Sequence, residues 1–222
     1  AFYFVALIAP LGIGIPYWIA LLLQHFSKRM QSAGRFIAYV PSLTSGLILA
    51  LLWAWLLMRG GLVNSILEYI GLPAVAWFGQ PWPARVSVAL VALSGGSGML
   101  VILFSAVILS IPHELKEAAI IDGATNGQYR RMVLRPLLMP TVLLALMLTI
   151  VGTIQAWESI YVLFNSGGPL GACVTPVYDI FQTAFMYSRP YYAASKGMLL
   201  LVVIAAVVAL QRRVESWAGA TR

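Results

Sequence analysis

The sequence predicts an all-α membrane protein, a polytopic helical bundle, and three observations point there. Of 222 residues 61% are hydrophobic and 9% charged, with mean hydropathy +0.89, more apolar surface than a soluble domain of this size can bury. A membrane span needs about 20 apolar residues, and five stretches qualify: 1–23, 36–58, 86–109, 137–157 and 191–210. The apolar residues in them run on without the strict alternation of shorter β-barrel strands.

Topology follows from the basic residues. Ten of the fourteen fall on one side: Lys28, Arg29 and Arg35, then Lys116, Arg130, Arg131 and Arg135, then Arg212, Arg213 and Arg222. Cytoplasmic loops carry such an excess, so this side is expected to be cytoplasmic and the C-terminus with it. Arg59, Arg85, Arg189 and Lys196 fall in or near the opposite loops. The net charge of +7 is therefore topological and does not mark a nucleic-acid patch. An odd number of spans places Ala1 outside, with no basic flank to guide insertion, so a sixth span is expected upstream. The first span is too long for a signal peptide and lacks its basic n-region. The single cysteine, Cys173, excludes an internal disulfide and a cysteine-rich metal site.

The chain reads as one membrane domain, 1–222. In the outer loop 59–84, Gly60-Gly61, Gly71, Pro73, Pro81 and Pro83 bracket the apolar segment Leu62 to Ile70, which predicts a short interfacial helix with Trp77 and Trp82 at headgroup depth. The outer loop 159–190 carries a turn at Asn165 to Pro169 and is expected to be a connector, a lid or a docking surface.

Between the third and fourth spans lies a polar, basic cassette, 111–136. Ser110 and Pro112 predict a helix start, with Glu114 and Glu117 near its N-terminus where a carboxylate is favoured. Leu115, Ala118 and Ala119 share a face small enough for close approach. Gly123 is placed to end the helix in the left-handed conformation. Thr125 and Gln128 form a capping-box pattern that restarts it, and Arg135-Pro136 is expected to end or kink the second helix. The expectation is two short helices joined by a tight turn and lying across the membrane face.

Glu117-Ala118-Ala119, Asp122-Gly123-Ala124 and the leucine and proline run Leu134 to Pro140 resemble the "EAA" loop of permease subunits in binding-protein-dependent ABC importers, within them the sugar permeases of the maltose and glycerol-phosphate type. Phe36 to Pro41, Gly61-Leu-Val-Asn64, Ile111-Pro112, and Ser166-Gly-Gly-Pro169 followed by Ile180 to Phe185 are similar to the family in the same order, over nearly the whole chain. Two departures stand out: Arg135 where the family usually has an apolar residue, and Ser94 to Gly98 where it often carries tryptophan and proline. The resemblance implies that Glu117, Ala118, Ala119, Asp122, Gly123, Arg130 and Arg131 form the coupling helix region that docks on an ATP-binding subunit. It also implies two such subunits, a second homologous permease, an external solute-binding protein, a sugar substrate and the bacterial cytoplasmic (inner) membrane. ATP and Mg would be bound by the partners, with no cofactor in this chain. No lysine among Lys28, Lys116 and Lys196 follows a glycine as a phosphate loop requires.

Polar residues inside spans mark a candidate pathway. The fourth span offers Thr149, Thr153, Gln155, Trp157, Glu158 and Tyr161, and the third adds Ser94 and Ser97. Gln155 and Glu158 suit sugar hydroxyls, and Trp157 or Tyr161 suits the apolar face of a pyranose. Serine in a span more often serves helix packing, and an aromatic near a span end more often sits at the interface.

Two other functional classes find partial support in the residues. Gly95-Gly-Ser97-Gly98 fits a rhomboid-like intramembrane protease, but its only histidine partners, His25 and His113, sit at the opposite ends of spans, about 15 Å or more from Ser97 by helical rise. A secondary transporter would need ionisable groups near the midplane, and Glu158 is the only internal acid.

Overall fold

The computed structural model describes residues 2–220, so Arg222 of the charge count and Ala1, expected outside, lie beyond the described residues. Eleven α-helices are found among them: α1 Phe2–Leu23, α2 Lys28–Leu43, α3 Gly46–Leu57, α4 Leu62–Tyr69, α5 Pro81–Ser110, α6 His113–Ile121, α7 Asn126–Tyr129, α8 Arg135–Gln155, α9 Glu158–Phe164, α10 Pro176–Phe181 and α11 Pro190–Ala220. Five helical segments among the described residues are long and apolar enough to cross a membrane: Tyr3–Leu23, Gly46–Tyr69, Pro81–Ser110, Gly127–Gln155 and Pro190–Arg213. The all-α, five-span fold class is as expected.

The helix α5 is the axis of the bundle. Both α1 and α8 pack on it and on each other, α2 and α3 lie along it, and α9 packs on α3. At one end Phe4, Ile8, Ala84, Val88, Ile160 and Tyr178 close a core under the 157–190 region. Mid-bundle, Ala20, Leu100, Phe104 and Ala145 pack together, with Tyr17 edge-on to Phe104 at 5.7 Å. At the other end Leu21, Leu134 and Leu138 tie α1 to the base of α8. Gly98 allows α2 to reach α5: a Cβ there would stand 2.3 Å from the Ala38 carbonyl oxygen. This is the small-residue contact that brings membrane helices together.

Several expectations are corrected. The apolar run 36–58 is not one helix: α2 ends at Leu43, Thr44 and Ser45 are extended, and α3 begins at Gly46. Ser110 does not cap α6, because its hydroxyl donates back to the Val107 carbonyl inside α5, and Pro112 takes the cap position. Arg135-Pro136 does not end the second short helix. A π-helical turn, Arg130–Leu134, carries α7 straight into α8, with Arg135 N bonded to Arg130 O. The wider winding re-aims the carbonyls around the proline that lacks an N–H, so the helix continues. The region 159–190 is mostly helical, through α9, a 3-10 turn Pro169–Gly171, α10 and a π turn Gln182–Met186.

One side chain ties together the loop 59–80. The expected helix is present as α4, and on it Asn64 is fully buried. Its amide nitrogen donates to the Met58 and Val75 carbonyls at 3.1 and 3.2 Å, and its oxygen accepts from Val75 N and Trp77 Nε1 at 3.0 and 3.1 Å. Trp77 is therefore turned inward to Asn64, whereas Trp82 is exposed. Burying an amide is favourable only when its donors and acceptors are met, and here all four bonds come from segments that would otherwise be independent.

Candidate functional site: a cavity at two helix breaks

A cavity of about 580 Å³ opens where two apolar segments lose their helical winding. One break is Thr44–Ser45, between α2 and α3, and the other is Ala156–Trp157, between α8 and α9. Both breaks stand at the ends of candidate spans, just before Gly46 and just after Gln155, and both border this cavity. The glycines Gly95 and Gly96 of α5 and Gly152 of α8 complete the wall and leave backbone exposed to it.

Gln155, Trp157, Glu158 and Ser97, all proposed from sequence as pathway residues, line this cavity together, as do Thr149 and Thr153. Ser94 and Tyr161 are not among its lining. The Ser94 hydroxyl accepts from Trp53 Nε1 at 2.9 Å and donates to the Val91 carbonyl, a brace between α3 and α5. Tyr161 lies edge-on to Phe181 at 5.4 Å. The Trp157 ring is stacked on Phe181 at 4.7 Å, so one of its faces is already covered.

Residues that sequence reasoning missed are Tyr39, Ser42, Thr44 and Gly46, brought in by the α2–α3 break. The run Ser42-Leu-Thr-Ser-Gly46 within an apolar segment was the available signal. The Ser42 hydroxyl is buried with no hydrogen-bond partner among the described residues. It packs against Gly98 of α5, where a Cβ would stand 2.6 Å from it. Glu158 opens α9, and its Oε2 lies against Gly46, where a Cβ would stand 2.6 Å away. Any side chain at Gly46 would displace the carboxylate.

The protease arrangement is not assembled. The Ser97 hydroxyl donates to the Leu93 carbonyl within α5. His25 Nε2 meets Arg130 at 2.9 Å, and His113 Nδ1 meets Glu117 at 3.2 Å. No histidine therefore activates Ser97.

At the end of the bundle that holds Leu21 and Leu138, α6 and α7 form the expected pair. Gly123 is left-handed at φ 76°, Ala124 N bonds Ala119 O at 2.9 Å and Gly123 N bonds Ile120 O at 3.0 Å, the two bonds of a Schellman stop. Gln128 N then donates to Thr125 Oγ1 at 3.3 Å while Thr125 N donates to Gln128 Oε1 at 2.8 Å, a complete capping box. Glu117 is exposed and, among the described residues, paired only with His113 of its own helix. Ala119 is buried, whereas Ala118, Asp122, Gly123 and Arg131 face outward. Arg130 bonds His25, which ties the pair to the end of α1. Around them Ile120, Ile121 and Met132 are exposed apolar side chains, Ile121 at 85%. A compact, doubly capped unit with an uncovered apolar rim is suited to fit into a groove of another protein.

Comparison with known proteins gives a consistent result. The family model "Binding-protein-dependent transport system inner membrane component" matches residues 12–219. The arabinooligosaccharides transport system permease protein AraP of Bacillus subtilis is 27% identical over 197 residues, covering 88% of this chain and 63% of AraP, so the chain spans less than two thirds of that relative's length. The crystal structure of a bacterial ABC transporter involved in the import of the acidic polysaccharide alginate is similar with a TM-score of 0.86 and 26% identity, over 96% of this chain and 75% of that one. A second structure, the bacterial alginate ABC transporter in complex with alginate pentasaccharide-bound periplasmic protein, is similar with a TM-score of 0.84 and 27% identity, over 95% of this chain and 74% of that one.

Proposed function

Since the chain belongs to the family of binding-protein-dependent transport system inner membrane components, we propose that it is a permease subunit of an ATP-driven sugar importer and forms half of its translocation pathway. The observation that carries this reading is the pairing, on one bundle, of a cavity at two helix breaks with a capped helix pair at the other end. AraP is named for arabinooligosaccharides and the similar structure for alginate import, which supports carbohydrate as the cargo. The α6–α7 end faces the cytoplasm on this reading, in keeping with the basic residues around it. The partners are a second permease, two ATP-binding subunits that hold ATP and Mg, and an external solute-binding protein.

The mechanism follows from stiffness. ATP-driven closure of the paired ATPases would move α6–α7, and because the π turn joins α7 directly to α8, one continuous helical path leads from there to Gln155 and the Ala156–Trp157 break. Glu117, Asp122, Gly123 and Arg131 would meet the ATPase, while Arg130 braces the unit through His25. The α2–α3 and α8–α9 breaks are the points at which the cavity can change shape. Reconstitution of the chain with these partners in vesicles tests the proposal. Oligosaccharide uptake that requires ATP and the loaded solute-binding protein is expected, whereas uptake driven by an ion gradient without ATP would place the chain among secondary transporters.

A further inference from the structure

We infer that the cavity selects against negatively charged carbohydrate and that Glu158 sets this sign, an inference that rests on the sugar-importer reading. Among the described lining residues Glu158 carries the only formal charge; no lysine, arginine or histidine contributes to the wall. Arg85 of α5 and Lys196 of α11 are committed elsewhere. Arg85 donates to the Ala172 carbonyl at 3.2 Å and lies 4.6 Å over the Tyr3 ring. Lys196 is held by Asp179 at 2.7 Å and Thr183 at 2.9 Å. Glu158 itself has no ion-pair partner or hydrogen bond among the described residues. Its carboxylate occupies the space that the missing side chain of Gly46 leaves open.

The rest of the polar wall is neutral, and Tyr39, Thr44, Ser97 and Gln155 are among it. Such a wall donates to and accepts from sugar hydroxyls, and Glu158 accepts from a hydroxyl or, more strongly, from the ammonium of an amino sugar. A uronate brought within about 6 Å of Glu158 meets a like charge in surroundings of lowered dielectric, where repulsion disfavours it by about tenfold or more. The structurally similar transporter carries an acidic polysaccharide on the same backbone frame. A shared frame does not fix the sign of the cargo; wall residues do.

The test is saturation-transfer NMR on the assembled importer in lipid nanodiscs, without solute-binding protein so that only the cavity chooses. The probes are matched trisaccharides of glucose, glucosamine and glucuronic acid, and the galactose equivalents. Wild type is expected to bind the neutral and amino trimers about tenfold or more above the uronic ones. Glu158→Gln should bring neutral and uronic trimers within about threefold, and Glu158→Asp, which keeps the charge, should preserve the discrimination. Gly46→Ala, which displaces the carboxylate, should weaken it. Equal binding of neutral and uronic trimers by wild type, or the same ratio in wild type and Glu158→Gln, would overturn charge selection and leave the sugar-importer reading standing. Binding of no trimer at all by wild type would overturn that reading, and this inference with it.

Discussion

Gly123→Pro is expected to abolish ATP-driven uptake while the chain still inserts and purifies with its partner permease. Proline holds φ near −65°, and the position stands at φ 76°. The substitution therefore removes the left-handed stop and with it the Ala124 to Ala119 bond that sets α6 against α7. The rest of the bundle core lies along α1, α5 and α8 and does not use this turn. A graded series makes the cause visible. Gly123→Asn, which tolerates the left-handed region, should keep most activity, and Gly123→Ala, which costs about 1–2 kcal/mol there, should keep part of it. Initial uptake rates that stay at wild-type level in the proline variant would dissociate this turn from transport.

Asn64→Leu is expected to have the second large effect, on stability first and uptake in consequence. The leucine has similar volume but leaves Val75 N and Trp77 Nε1 without the acceptor they share, and each buried orphan donor costs about 1–3 kcal/mol. The Met58 and Val75 carbonyls lose their donor as well. The 59–80 loop should then be cut by protease far faster than in wild type, with a clear fall in melting temperature. Asn64→Asp keeps the acceptor and loses the two donated bonds, so an intermediate loss is expected. An unchanged proteolysis pattern in Asn64→Leu would show that the loop is ordered by something other than this amide.

The contrast between these two positions shows what was legible in the sequence. The α6–α7 pair was readable because capping is local: Gly123, Thr125 and Gln128 bond within a few residues of themselves. The role of Asn64 was hidden because its partners sit 11 and 13 residues away in a loop without periodicity. The break at Thr44–Ser45 escaped a reading based on hydropathy, which registers apolar length and is blind to backbone winding, although the serine, threonine and glycine there were in plain view. Arg135-Pro136 does not end the helix, for the opposite reason. The local rule for proline holds for an α-helix, and the π turn supplied by Arg130–Leu134 evades it. Among the pathway residues, Gln155, Trp157, Glu158 and Ser97 share the cavity because α5, α8 and α9 converge on it. Ser94 faces Trp53, only three positions before Ser97 on the same helix, a matter of helix rotation that polarity alone does not encode.

The central claim is that the α6–α7 unit is the point at which a separate ATPase works this bundle. Ile121→Cys tests it most directly, because Ile121 is 85% exposed at the end of α6 and the native Cys173 is buried, with burial pushing its thiol up to about 11 against the opposing effect of Arg85. The introduced thiol thus has no competitor in this chain. In the assembled importer it should cross-link to the ATP-binding subunit, with a yield that changes on adding ATP, and should resist a membrane-impermeant maleimide applied to intact cells. Labelling from outside, or cross-linking to the solute-binding protein instead, would contradict the account.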